Sequence, residues 1–203
     1  MTALIAAWLA HLIAAASPGP AILLAARTGV TQGFRTGLWL CVGLALGALI
    51  WAMAALFGLA ALFRIAPTLL WAFKLAGAAF LIWIAVQMWR LARDPLEIPA
   101  TGLAVPQTPF AAFRLGLFAQ LANPKPAIFF GAVFVAAVPS GTPPILVAAL
   151  LASVFANEML CTLAVARAFS LPTPRRAYQR FKLVIDRAFG GALAALGVKL
   201  ATT

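Results

Sequence analysis

From Gly37 to Phe63 the chain carries no charged residue, and apolar runs with few charges also cover about 3–25, 68–89, 112–138, 144–166 and 184–201. Runs of this length belong in lipid, because a hydrocarbon core of about 30 Å is crossed by about 20 helical residues. Inside lipid the backbone must satisfy its own hydrogen bonds, which leaves helices or closed barrels. Barrel strands of about 9–11 residues are too short to account for these runs. The expectation is an all-α, polytopic membrane protein with six transmembrane helices. The chain is 65% hydrophobic and 9% charged, against about half and a quarter in soluble domains. No soluble domain is left over, so 1–203 reads as a single transmembrane domain. The apolar start lacks a basic leader and a small-residue cleavage site, and reads as a retained span.

The net charge of +11 raises the possibility of a nucleic-acid partner. The placement of the charges argues against it: the 15 Lys and Arg sit mostly where apolar runs end, with no basic domain interleaved with aromatics. Charges at span ends set topology. Arg27, Arg35, Arg90, Arg93, Arg114 and the cluster from Arg167 to Arg187 fall on one side, and Arg64, Lys74 and Lys199 on the other. The basic side is cytoplasmic by the positive-inside rule, which puts both termini on the periplasmic side. The segment Ser170–Lys182 is basic and is expected to interrupt the last apolar stretch.

One phrase occurs twice. SPGPAI at Ser17–Ile22 returns as NPKPAI at Asn123–Ile128. Three spans separate equivalent positions, and an odd number reverses direction across the membrane. The chain is therefore expected to be a 3+3 inverted repeat, with repeat 1 at about 1–90, a proline-rich linker at about 91–111 and repeat 2 at about 112–203. Inverted repeats with discontinuous helices are common in secondary transporters. Ser17 and Asn123 are good helix N-caps. Pro18 and Pro124 suit the first helical position, where a missing N–H costs nothing. Pro20 and Pro126 fall in the first turn, and Gly19 permits close approach. Helices 1 and 4 are thus expected to be broken, with the freed N–H groups at each second half-helix forming an anion site near the midplane.

Lys125 lies inside the second phrase. A buried ammonium is costly, by about 3 kcal/mol on insertion scales, and beside a helix start it wants an anion. Glu158 is the acid inside an apolar run, whereas Asp94 and Glu97 are in the linker and Asp186 opens span 6. Glu158 can pair with Lys125, hold a substrate ammonium or carry a proton. Arg167 is too far along the helix to be its partner. Asn157 shares its neighbourhood. His11 has no second metal ligand at helical spacing and reads as packing. Gly43 and Gly47 form a G-x-x-x-G pattern that serves close helix packing, within the chain or in a homodimer. The tryptophans read as an interfacial belt. Cys41 and Cys161 read as small apolar residues. No phosphate loop, catalytic triad or nucleotide motif is present, so neither an enzyme nor an ATP-driven pump is expected, and no cofactor or resident metal.

The stretch from SPGPAILLAARTG through G-L-A-L-G, followed by NPKPAIFF, resembles the LysE/RhtB family of amino-acid exporters. Pro18, Gly19 and Pro20 match that family's PGP motif, and Asn123, Pro124 and Lys125 its NPK motif. The resemblance implies six helices and export of amino acids or related metabolites across the bacterial inner membrane, driven by the proton motive force. Taken with the helix breaks and the buried charges, it points to a small-molecule substrate site at Ser17, Pro18, Gly19, Pro20, Asn123, Pro124, Lys125 and Glu158. Two positions depart from the pattern: Ala48 follows Gly47 where many relatives have Asp, and VAAVPSGTPP replaces a Phe-containing stretch. Two rivals stay in view. A membrane thiol–disulfide electron carrier would need paired cysteines near the helix breaks, and a metal-ion exporter a richer ligand set than one His, two Cys and one buried Glu.

Overall fold

Prolines set the beginnings of the helices. In the computed structural model, which describes residues 2–59, 67–93, 108–134, 138 and 141–202, each α-helix after the first begins on one. The helices are α1 (Thr2–Ala16), α2 (Pro20–Met53), α3 (Pro67–Leu91), α4 (Pro109–Leu121), α5 (Pro124–Ile128), α6 (Pro144–Phe169) and α7 (Pro172–Thr202). Proline's fixed φ is already helical and its absent N–H would have lacked a partner there. Thr108 adds a side-chain cap to α4, its Oγ1 accepting from Ala111 N at 3.1 Å. Wider π-helical turns extend α2 over Ala54–Leu59 and α5 over Phe129–Phe134. No strand occurs among the described residues.

The first run breaks between Ala16 and Pro20 and the fourth between Leu121 and Pro124, as the two phrases require. Other boundaries differ from expectation. Spans 1 and 2 are not joined by a loop: α2 continues through Arg27 and Arg35 and bends at Gly33, at φ 75° and ψ −179°. That left-handed φ favours glycine, so one residue does the work of a connector. Gly141, ahead of α6, is also left-handed, at φ 83°. The basic segment does hold the break before the last helix, but only at its start. Only Ser170 and Leu171 separate α6 from α7, and 172–182 is helical. Residues 60–63 of span 2, 135–137 of span 4, most of the linker, Arg64, Asp94 and Glu97 lie outside the described residues.

Small residues let the helices touch. α2 packs between α4 and α6. Gly43 lies against the backbone of Phe113 and Leu117, Gly47 against Gln120, and Gly116 of α4 against the backbone of Leu40 and Leu44. Gly29 meets the Ala166 carbonyl on α6. The G-x-x-x-G pattern is therefore used inside the chain. Helix association in lipid relies on such close van der Waals contact, since lipid tails are as apolar as leucine. α3 pairs with α7, where Trp89 Nε1 donates to Arg187 O at 3.0 Å and its ring fills the space over Gly190. Asp186 is buried beside this seam and pairs with Lys182 at 2.8 Å.

The outer surface is apolar, as a lipid-facing surface should be. Phe57, Phe118, Ile145, Leu160 and Val184 are each more than half exposed. Trp39, Trp71, Trp83 and Trp89 also face outward. Trp51 departs from the expected belt: it is half-buried and its Nε1 donates to Gln120 O at 3.3 Å. The interior holds a cluster of small and aromatic residues, including Ala10, Ala14, Ala48, Phe129, Phe130 and Phe134. Ala48, the position at which the resemblance implies an acid, is wholly buried in this apolar cluster.

Candidate functional site

The two breaks meet at one cavity. At the first, Ser17 finishes α1: its N–H donates to Ile13 O at 3.0 Å and its Oγ to Ala14 O at 2.7 Å. Ser17 was expected to cap the next helix and does not. Gly19 is the N-cap residue, in extended backbone, and no side chain bonds the end of α2. The shift arises because Pro20, not Pro18, takes the first helical position. Leu23 is the first amide with a backbone partner, donating to Gly19 O at 2.9 Å. Ala21 and Ile22 precede it, and their N–H groups are among those an α-helix leaves unused at its start. Both residues lie in the cavity wall.

The second break follows expectation more closely. Asn123 is the N-cap, its Oδ1 accepting from Lys125 N at 3.1 Å, and Pro124 opens α5. Pro126 has no N–H. Asn123 and the two prolines thus account for the amides of this first turn, so of the two breaks only the start of α2 keeps unused amides.

Lys125 is placed differently from expectation. Its ammonium donates to Ser17 O at 3.0 Å and to Ser17 Oγ at 2.6 Å. It therefore sits on the carbonyl end of α1, where the negative end of the helix dipole favours a cation. The negative partner expected for it is thus met in part by a helix end. The same ammonium lies beside Gly19, where a Cβ would come within 3.4 Å of it. Glycine at that position leaves the approach to Lys125 and the α2 start open.

Glu158 stands in the same cavity wall but closes no ion pair with Lys125. It is 5% exposed. Its Oε1 accepts from Gln120 Nε2 at 3.0 Å, and its Oε2 lies 3.9 Å from His11 Nε2, beyond hydrogen-bond reach. Arg167 is engaged elsewhere, over the Phe34 ring at 5.3 Å and toward Ser170, as its distance along the helix required. Asn157 Nδ2 approaches His11 Nδ1 at 3.4 Å on the other side of the ring.

Of the anticipated residues, the structure brings Gly19, Asn123, Lys125 and Glu158 into the cavity wall. Ser17 is buried behind it, holding Lys125. Pro18 and Pro20 shape the first break without lining the cavity, and Pro124 starts α5. Two polar residues of the wall were not among the anticipated site residues, His11 and Gln120. His11 does pack, on Phe129 and Phe130 with ring centroids 5.8 and 5.3 Å away, but it also faces Glu158. An ionisable side chain in a broken span is itself a functional signal. Gln120 is three residues before Asn123, so it shares a helix face with the break, and that spacing could have found it.

The arrangement has two poles. One offers an ammonium and bare backbone N–H groups, which suit a carboxylate. The other offers a carboxylate and an amide carbonyl. Cys41 and Cys161 are free thiols, and neither is in the cavity wall. Among the described residues no cluster of His, Cys, Asp and Glu could hold a metal.

Comparison with known proteins places nearly the whole chain in one family. Residues 12–203 match the LysE type translocator family. The threonine efflux protein of Escherichia coli strain K12 is 31% identical over 94% of this chain and 93% of its own. The threonine efflux protein of Salmonella typhi is 32% identical over 94% of this chain and 93% of its own. The homoserine/homoserine lactone efflux protein of Salmonella typhimurium is 32% identical over 63% of this chain and 62% of its own. No solved structure matches. With a match that takes in both breaks, Lys125 and Glu158, the chain belongs to the LysE type translocator family.

Proposed function

We propose that this protein is a secondary transporter that exports amino acids or closely related metabolites across the bacterial inner membrane. The observation that carries the proposal is the two-pole cavity at the meeting of two broken helices. The substrate carboxylate docks at the α2 start and Lys125, and its ammonium at Glu158. The efflux relatives with threonine and homoserine in their names support this substrate class. The cavity is about 30 Å³, room for about two waters where one needs about 10–15 Å³. An amino acid enters only when the helices around the breaks part, which fits rocking of a 3+3 inverted repeat with both termini periplasmic. The matched left-handed glycines, Gly33 and Gly141, support that symmetry.

The proton motive force is the proposed driver. Glu158 is the acid in the cavity wall and can exchange its bond to a substrate ammonium for a proton. Cells preloaded with a labelled amino-acid panel test both ideas. At least one compound is expected to leave faster from cells expressing the protein, and a protonophore is expected to abolish the difference. Efflux that ignores the protonophore sinks the coupling and leaves the exporter standing. No faster exit for any compound sinks the exporter. The thiol-carrier rival is tested by replacing Cys41 and Cys161 with Ala together. Efflux is expected to stay within about twofold of wild type, since small apolar swaps of this kind are well tolerated.

A further inference from the structure

We infer that Gln120 is a substrate-contacting residue which, together with Glu158, selects a primary ammonium, so that the site takes free α-amino acids and rejects their 2-hydroxy-acid counterparts. This rests on the exporter reading above and deepens it.

Gln120 is 2% exposed and in the cavity wall. Its Nε2 donates to Glu158, while its Oε1 has no hydrogen-bond partner. A buried carbonyl without a partner is unfavourable and uncommon in native proteins. Turning the amide over does not relieve it, because Oε1 would then face the Glu158 carboxylate. The residue is also pinned. Its carbonyl accepts from Trp51 Nε1 at 3.3 Å and from Asn123 N at 3.2 Å, and its Cβ and Cγ lie against Gly47.

Two residues of the wall therefore carry acceptors with unused capacity, Gln120 Oε1, which is itself buried, and Glu158 Oε2, on side chains hydrogen-bonded to each other. A substrate group that satisfies both must bring at least two hydrogens, and to offset the carboxylate it must be cationic. A primary ammonium has three donors and one positive charge. A hydroxyl has one donor and no charge. Lys125 and the α2 start meet the carboxylate that both compound classes share, so discrimination between them falls to Gln120 and Glu158. Sites built to bond a substrate N–H reject analogues that lack it far more strongly than apolar pockets reject a missing methylene.

The test uses the full chain in liposomes loaded with labelled pairs: L-threonine with 2,3-dihydroxybutanoate, and L-leucine with 2-hydroxyisocaproate. For whichever pair moves, the wild type is expected to export the amino acid at least about a hundredfold faster than the hydroxy acid. Gln120→Met keeps length and removes both amide atoms. It is expected to slow the amino acid about tenfold to a hundredfold and leave the hydroxy acid unchanged, so the ratio falls. An amino acid that moves with an unchanged ratio in Gln120→Met overturns the inference and spares the exporter reading. Equal transport of both members by the wild type does the same, and that arm stands even when the variant fails to fold. A wild type that exports neither amino acid of the two pairs, nor any compound of the cell panel, overturns the inference and the exporter reading together.

Discussion

Glu158→Gln is expected to cut efflux of the best-exported amino acid by about a hundredfold or more, with folding preserved. The substitution keeps the shape and leaves an oxygen to accept from Gln120 Nε2, so the bond observed at 3.0 Å survives. The negative charge is what is lost. A substrate ammonium would then be buried opposite a neutral amide, and removing one partner of a buried charge pair costs about 3–5 kcal/mol. Every 1.4 kcal/mol is about tenfold in affinity. Lys125→Ala is expected to be as severe for transport and also destabilising, because it removes the donor on Ser17 O and Oγ as well as the positive pole. Efflux of the labelled panel, read beside melting temperature in detergent, separates the two behaviours. Wild-type rates in either variant, at normal expression, would show that the two charged groups are not the substrate site.

The second large effect concerns stability. Gly43→Leu and Gly116→Leu are each expected to destabilise the protein by about 2–4 kcal/mol and to remove most of the well-behaved material from a detergent extract. A Cβ on Gly43 would collide with the Phe113 carbonyl and come within 2.7 Å of Leu117 N. On Gly116 it would collide with the Leu40 carbonyl and come within 3.1 Å of Leu44 N. In both cases the obstacle is backbone, which no rotamer change relieves, so α2 and α4 must separate. Their separation also frees Gln120, which is held against Gly47 on the same seam. Gly191→Ala is the control. Nothing lies within 4 Å of a Cβ there, and replacing glycine by alanine in a helix gains up to about 1 kcal/mol. Equal yield and melting temperature in all three variants would mean that the α2–α4 contact does not hold the fold.

Much of this architecture was legible in the residues because lipid narrows the choices. Long apolar runs admit little except helices, and paired prolines in such runs must break them. Asn123 was readable as a cap because side-chain capping is local. Ser17 was misread because two prolines compete for one helical position, and spacing does not say which wins. The partner of Lys125 was not legible either. Its ammonium reaches Ser17, 108 residues away, and only tertiary packing decides that it meets a helix end of the favourable sign. Gln120 escaped for a similar reason: its orphan oxygen is defined by what surrounds it. The basic segment after Ser170 was readable as a break because charge suggests water, but charge alone does not say that 172–182 is already helical.

The Lys125–Ser17 contact also bears on the order in which the molecule is made. A ribosome adding about 5–20 residues per second needs roughly 5–20 s to cover the 108 positions between them. Throughout that interval the newborn first break lacks the donor that will occupy Ser17 O. The carbonyl end of α1 and the bare start of α2 must then be sheltered by water, lipid headgroups or the insertion machinery, because hydrocarbon does not tolerate irregular backbone. Completion of the cavity between the two breaks is thus a late step in biogenesis, and a nascent chain stalled before Lys125 emerges would carry an unfinished, polar wound in its first helix.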